Sequence, residues 1–499
     1  MRGRFRSFPR HPGLALLLAG CTVGPTFERP HVDAPPAFGS TPADVASHTI
    51  AAEVDTHWWT SFADPELTAL VGRLATQNLD LQQAAERIEQ AAAERRVVAS
   101  QGLPHIDVGG VAQHDRISRN GMASLEVPAP GAPLEFNLFR PMVSASWQLD
   151  LFGRVRRAVE AANADTEAAV EARHGLALSA IADLAQTYVQ FRLLQAQQGV
   201  LERNLAIADR RRALVRIRFA DGVATTLDVA QADAQGLGIA QDLPTLRSQE
   251  ARLVNALGLL LAEPPRTLTA ELTRVGPLPF VPPTVPVGLP ADLARRRPDV
   301  REAEARLHAA TAETGVAVAN FYPDISLGGN FGFESLHLGN LFDAASRQFM
   351  IGPSIDLPIF QGGRLTGTLR LRRSQQREAA LQFRQTVLQA WHDVDNAMVA
   401  YAEAQHRRVA AASTSEADAR ALRAADQQYR QGTTSLLDVI AAQEGILQGE
   451  NTVAQAQADL ALRLIDLYRA LGGGWETLPP VAVDAKGAGA ARTAAGPPR

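Results

Sequence analysis

Phe219-Ala-Asp-Gly222-Val-Ala-Thr-Thr-Leu227-Asp228-Val229 returns 210 residues later as Tyr429-Arg-Gln-Gly432-Thr-Thr-Ser-Leu-Leu437-Asp438-Val439, with the aromatic residue, the glycine and Leu-Asp-Val in register. A match at that spacing makes the chain two copies of one unit. Gly153-Arg154 returns as Gly363-Arg364 at the same displacement. Leu103-Pro104 with Gly109-Gly110 matches Tyr322-Pro323 with Gly328-Gly329 at 219. The change of nine places one longer connection in the first copy, between residues 110 and 153.

Upstream of each quoted stretch lies a proline-free run, 65 residues from Arg154 to Arg218 and 66 from Leu365 to Arg430. Apolar residues recur there at steps of three and four: Ala180, Leu184, Tyr188, Phe191, Leu194, Leu201, Leu205 and Ala208, then Phe383, Val387, Trp391, Val394 and Met398. That is sustained helical spacing, and at 1.5 Å per residue each run makes a rod about 100 Å long. Gly222 and Gly432 supply left-handed turns, Thr226 and Ser435 the next N-caps, and a second helix runs back to Gly258 or Gly472. Each copy is therefore a long antiparallel hairpin with a coiled-coil-like seam. Pro244 interrupts only the first return helix and predicts a kink there. Shorter helices are expected over about Leu79 to Gln101 and Pro298 to Ala319.

Between short helix and rod, each copy carries two patterns of period two. Val143, Ala145, Trp147, Leu149 and Leu151 alternate with Ser144, Ser146, Gln148 and Asp150. Ile325, Leu327, Phe331 and Phe333 alternate with Ser326, Gly328, Asn330 and Glu334, and Phe349, Ile351, Ile355, Leu357 and Ile359 with Gly352, Ser354 and Asp356. Ile106 to Gln113 alternates less cleanly, and Pro353 needs a position where its missing donor is not required. Such segments fit a soluble sheet with one wet face, or a membrane barrel with a polar lumen. Four strands cannot close a barrel, because the smallest have about eight, so closure requires two, three or four chains.

The 499 residues, 46% hydrophobic and 20% charged, describe a folded chain. A net charge of -4 offers no basic excess for nucleic acid, and one cysteine excludes a disulfide framework or thiolate cluster. No apolar run reaches the roughly 18 residues of a membrane helix, so a membrane would be crossed as strands. There is no HExxH, no GxSxG and no phosphate-binding glycine loop, and the eleven histidines are scattered. The reading is a non-enzyme without cofactor or metal. A fibrous or adhesive coiled coil explains the rods but not the strands, whereas a conduit explains both. Arg2, Arg4, Arg6 and Arg10 precede apolar Leu14 to Ala19, and Leu18-Ala-Gly-Cys21 resembles the bacterial lipobox, with the sole cysteine at its cleavage position. Thr22 in place of Asp implies, by that resemblance, delivery to the outer membrane.

The chain resembles the outer-membrane factors of tripartite efflux pumps, in their lipidated, nodulation-type branch. The resemblance rests on Cys21-Thr-Val-Gly-Pro25, Trp58-Trp-Thr-Ser-Phe62-Ala-Asp64-Pro65-Glu-Leu67, Arg296-Arg297-Pro298-Asp299-Val300-Arg301, Phe321-Tyr322-Pro323, Pro358-Ile-Phe360-Gln-Gly-Gly363-Arg364, both turns and Ala470-Leu471-Gly-Gly-Gly474-Trp475. It implies a mixed α and β membrane protein: a homotrimer whose twelve-stranded barrel, four strands per chain, continues into a periplasmic helical tunnel. It implies passive export of drugs or other small toxic compounds, with a periplasmic adaptor and an inner-membrane resistance-nodulation-division transporter as partners. A type I protein-secretion channel shares this outer component. The expected organisation is a signal peptide over 1–20, a lipid-anchored extended tether over 21–62, a first repeat over 63–262, a Pro-rich equatorial connection over 263–290, a second repeat over 291–475 and a tail over 476–499. Lipid on Cys21 would anchor the chain in the outer membrane. Arg218, Phe219, Gly222, Tyr429, Arg430 and Gly432 would form the tip that meets the adaptor. Leu437 would be the apolar periplasmic gate, with Ala441 one turn on where some relatives carry an acid, and Glu444 as its substitute. Asp150, Asn330, Ser354 and Asp356 would face the lumen. The basic run Arg210-Arg211-Arg212 reads as a solvated helix face.

Overall fold

The structure, a computed structural model, describes residues 22–31, 33–38, 44–118 and 134–479. The targeting segment, Cys21 and the tail from Lys486 to Arg499 lie outside the described residues. The chain begins with β1 (His48–Ile50), a 3-10 turn over Trp58–Phe62, α1 (Pro65–Gln77) and α2 (Leu79–Ser100). Strands β2 (His105–Arg116) and β3 (Glu135–Leu149) lead into α3 (Arg154–Ala220), and α4 (Thr226–Ala240) and α5 (Leu243–Leu260) return. After α6 (Thr269–Leu272), β4 (Thr284–Pro286) and α7 (Pro290–Arg296), the same order recurs as α8 (Pro298–Ala319), β5 (Asp324–Phe333), β6 (Arg347–Asp356), α9 (Arg364–Arg430) and α10 (Leu436–Leu471).

Both α3 and α9 are continuous over 67 residues. The first return breaks between Ala240 and Leu243, and Pro244 then stands in the first turn of α5, where its missing N–H has no helical acceptor to lose. The second return, α10, is unbroken over 36 residues. Strands β2 and β3 have 12 and 15 residues against 10 each in β5 and β6. The offset of nine is thus spread over longer strands as well as the connection between them, not confined to one loop.

The chain divides into two compact units. The first, Met1–Pro30, Glu89–Glu167 and Glu304–Gln382, holds one antiparallel sheet in the order β2-β3-β5-β6. Pro353 pairs with Leu327 in β6, which is an edge strand, the usual refuge of a residue without an N–H. The segment just after Cys21 is strapped onto this unit: Phe27 stacks on His308 at 4.4 Å, and a Cβ on Gly24 would come 2.6 Å from the Gly315 Cα.

The second unit, His31–Ile88, Ala168–Ala303 and Phe383–Arg499, holds the hairpin turns and the parallel pair β1-β4. The expected extended tether is corrected at its end, since Trp58, Trp59 and Phe62 are buried core residues. The Trp58 ring stacks on Tyr468 at 5.2 Å and its Nε1–H donates to the Gly473 carbonyl. The Asp64 carboxylate caps α1 and accepts from the Tyr188 hydroxyl at 2.8 Å. Arg192, buried in α3, donates to Tyr188, Gln195, the Arg274 carbonyl and Glu66. Burial pushes the Glu66 carboxyl above the usual range, and the Arg192 charge beside it opposes that shift. Apolar periodicity does not announce such a group, because arginine is invisible to it.

Candidate functional site: the hairpin turns and the sheet faces

Each long helix ends in the same local chemistry. Gly222 has φ 74° and Gly432 φ 75°, and neither has an atom within 4 Å of a built Cβ. Glycine is required there for backbone angle rather than for room. The Val223 N–H donates to the Arg218 carbonyl at 2.8 Å, and the Thr433 N–H to the Gln428 carbonyl at 3.0 Å, so the last free carbonyls are satisfied. The following helices start in capping boxes built by Thr225 with Asp228 and Ser435 with Asp438. The first cap is therefore Thr225, not Thr226, which keeps the 210-residue correspondence with Ser435. The Ser435 hydroxyl, the Thr434 hydroxyl and the Ser435 N–H hold the Asp438 carboxyl below the ordinary aspartate range.

The two turns belong to one cluster. The Arg218 guanidinium lies 4.8 Å over the Tyr429 ring, a cation–π contact between the ends of α3 and α9. Below it Val215, Ala232, Leu436 and Ile440 are buried, with Ala224, Val229 and Tyr429 packed against them. Phe219 is exposed, and Arg430 pairs with Asp426 one turn back at 2.6 Å. Of the six expected tip residues, the structure places all beside the two turns and joins Arg218 directly to Tyr429. The run Arg210-Arg211-Arg212 is only partly a solvated face. Arg212 pairs with Asp209 in its own helix, and Arg211 is half-buried with no hydrogen bond to its Nη1 among the described residues. Arg216, one turn on, bonds Asp233 of the return helix at 2.9 Å.

Leu437 is 57% exposed, while its neighbour Leu436 is 2% exposed and supplies the seam. Leu437, Ala441, Glu444 and Gln448 are all exposed and follow one another at four-, three- and four-residue steps, so they form a single free stripe of α10.

In the first unit the register sorts side chains onto two faces. Directly paired residues share a face and successive residues alternate. Ile106, Val108, Val143, Trp147, Ile325, Leu327, Phe331, Phe333, Phe349, Ile351 and Ile355 lie on one side. Val108 is 81% exposed and Phe349 78%, so much of this apolar side is left open by the described residues. The other side carries Asp107, Gln113, Ser144, Ser146, Gln148, Asp324, Ser326, Asn330, Ser354 and Asp356. Asn330, Ser354 and Asp356 fall together on this polar face, with Asp356 directly opposite Asp324. Asp150 does not belong to it: it lies past the end of β3, and its carboxylate accepts from the Val155 and Arg156 N–H groups at 3.1 and 2.9 Å. The alternating pattern ran two residues, Asp150 and Leu151, past the end of β3 into the turn before α3. An exposed apolar face of that extent, backed by a polar one, calls for an apolar partner, whether lipid or another protein surface.

The outer membrane efflux protein family model matches residues 70–263 and 289–473. The chain belongs to the outer membrane efflux protein family. It is 31% identical over 470 residues to nodulation protein T of Rhizobium leguminosarum bv. trifolii, covering 93% of this chain and 97% of that one. It is 30% identical over 477 residues to the pyoverdine export outer membrane protein OpmQ of Pseudomonas putida, covering 95% and 99%. Among solved structures, the outer-membrane channel OprN superposes with a TM-score of 0.83 at 32% identity, over 91% of this chain and 100% of that one. The protein is thus an outer-membrane channel component of an efflux system. Several motifs that carried the resemblance are structural: Arg297 binds the Ala470 carbonyl at 3.0 Å and the Asp393 carboxylate at 3.0 Å, clasping α10 and α9 to the start of α8.

Proposed function

We propose that three copies close their sheets, β6 of one beside β2 of the next, into a twelve-stranded barrel in the outer membrane, continued by a periplasmic helical tunnel. The observation that supports this reading is the apolar face that the described residues leave exposed on a sheet whose edge strands β2 and β6 pair with no other described strand, and whose four strands are too few to close alone. Asn330, Ser354 and Asp356 then line a wet lumen. Lipid on Cys21 adds an anchor, and the strap over Thr22 to Phe27 holds that anchor beside the sheet unit. The tip residues Arg218, Phe219, Gly222, Tyr429, Arg430 and Gly432 meet a periplasmic adaptor, which joins the channel to an inner-membrane resistance-nodulation-division transporter. The exposed stripe headed by Leu437 supports its role as the apolar gate, with the acid Glu444 on the same stripe.

The chain contributes no energy of its own, having no nucleotide-binding loop, and conducts small molecules passively. The relatives exporting named compounds, OpmQ with pyoverdine among them, support a small-molecule cargo. The test is reconstitution of the purified protein in a planar bilayer together with measurement of its mass in detergent. A trimer giving discrete conductance steps is expected. A monomer, or a trimer that carries no current under any applied voltage, would refute the reading.

A further inference from the structure

The seam between α3 and α10 follows a heptad on both sides. On α3 the inward positions are Leu201, Asn204, Ala208, Arg211 and Val215, at steps of three and four. On α10 they are Leu436, Ile440, Gln443, Leu447, Glu450 and Ala454, at steps of four and three. Most are apolar and buried, as such positions should be. Four of these positions are polar: Arg211 and Glu450 are half-buried, whereas Asn204 and Gln443 are fully buried and bonded to each other in one layer. Asn204 is 2% exposed and Gln443 0%. The Gln443 Nε2–H donates to the Asn204 Oδ1 at 3.1 Å, and the Asn204 Nδ2–H donates to the Val200 carbonyl at 2.9 Å and the Glu450 carboxylate at 3.3 Å. The Gln443 Oε1 is buried without a hydrogen bond among the described residues. Arg203 reaches the same Glu450 carboxylate from the solvent side at 3.6 Å.

Leu201, Ala208 and Ile239 form one apolar cluster with Leu205, Leu243, Leu246 and Leu447, and Val215, Ala232, Leu436 and Ile440 form another. On α10 the apolar positions are interrupted at Gln443, between Ile440 of the Val215 cluster and Leu447 of the Leu201 cluster; on α3 Asn204 sits inside the Leu201 cluster, between Leu201 and Ala208, and Arg211 stands between that cluster and Val215. Leucine at 443 would make the α10 side of the seam apolar without a break from Leu436 to Leu447, and leucine at 204 would meet it from within the Leu201–Ala208 cluster. Polar side chains there have two effects. Sliding one helix past the other by a turn would bury both amides against apolar neighbours, so the layer holds a single register. Separating the helices instead lets each amide exchange its protein partner for water at little net cost, whereas an apolar pair would resist. The unpaired Gln443 oxygen gains a hydrogen bond on separation.

We propose that the Asn204–Gln443–Glu450 layer is the parting line between the two hairpins: it fixes their register while they are together and admits water when they separate as the tunnel opens. The inference rests on the channel reading above and adds to it a second determinant, remote in sequence from Leu437. Asn204 and Gln443 are then positioning residues for the closed and open states rather than contacts of the cargo.

The test is the cycle Asn204→Leu, Gln443→Leu and the double variant, in the full-length assembled protein. Each single variant leaves the other amide buried without its partner and should lower the thermal midpoint. The double variant should recover it to the wild-type value or above, and its voltage-driven openings in a planar bilayer should be about tenfold rarer than wild type as the closed state gains in population. A double variant that opens as often as wild type would overturn the proposal, as would one that melts below both single variants. A wild-type protein without current would remove the channel reading itself, and with it this one; a conducting wild type matched by its double variant removes only the parting line.

Discussion

Replacing Leu437 by serine separates gating from stability, because the residue next to it offers the control. A fully buried leucine is worth ~1.5–3 kcal/mol relative to water. Leu437 is 57% exposed, so less than half of that, about 1 kcal/mol at most, is at stake in folding. Leu436 is 2% exposed within a core cluster, and its replacement by serine combines a lost side chain, a cavity and a buried hydroxyl, roughly 3–5 kcal/mol. Leu437→Ser should therefore assemble and melt like wild type while Leu436→Ser melts earlier. If three Leu437 side chains seal the tip by excluding water, their removal wets the constriction, and resting bilayer current should rise several-fold. Leu227, exposed at the repeat-related position, should give a much smaller rise when changed to serine, because the family resemblance places the constriction at the second hairpin only. Equal currents for the 227 and 437 variants, or no rise at 437, would refute the reasoning. A Leu437→Ser protein that melts several degrees below wild type would refute it differently, by showing that this residue supports the fold.

Gly432→Val forces a β-branched residue to φ 75° with open space around it, a local cost of about 1–3 kcal/mol that reshapes the turn and leaves the rods alone. Trimer yield should hold while crosslinking to the adaptor falls; crosslinking at wild-type yield would count against a docking role. Arg192→Met leaves Glu66 half-buried without its cation and should cost about 3–5 kcal/mol in thermal stability. With the opposing charge gone, the Glu66 carboxyl in the folded state is raised further above its unfolded value. The folded state then binds more protons, so stability must fall as pH rises from the unfolded value of about 4.3 through the raised folded one. The variant should consequently melt higher at pH 5 than at pH 8 by more than wild type does, and an unchanged pH difference would rule this out. Metabolic labelling with a fatty acid should mark the wild type and not Cys21→Ser, and label on the variant would defeat the anchor.

The long helices, their glycine turns and the strand parity were legible because each is written in local terms. A proline-free stripe at 3.6-residue spacing, a glycine before a capping residue, and an alternation of two each need only near neighbours to take effect. For the same reason the alternating pattern overran β3 by two residues, Asp150 and Leu151, since a carboxylate at a strand end and one at a helix start look alike without hydrogen-bond partners. The cap at Thr225 rather than Thr226 is a similar one-residue matter, decided by which hydroxyl reaches the Asp228 N–H.

What lay beyond the sequence was the pairing of elements far apart in the chain. Whether Leu436 or Leu437 enters the seam depends on which side of α10 meets the neighbouring helices, and adjacent leucines carry no mark of it. Arg192, Asn204, Gln443 and Arg297 are polar residues in buried places, and besides any local partners each has a distant one, between 96 and 246 positions away: Glu66 for Arg192, Asp393 and Ala470 for Arg297, Glu450 for Asn204, and Asn204 and Gln443 for each other. Periodicity sets which face of an element is apolar, because that depends on the geometry of one helix or strand. It cannot set which polar group will be satisfied inside, because the hydrogen bond that makes such burial affordable exists only once the distant segments have met.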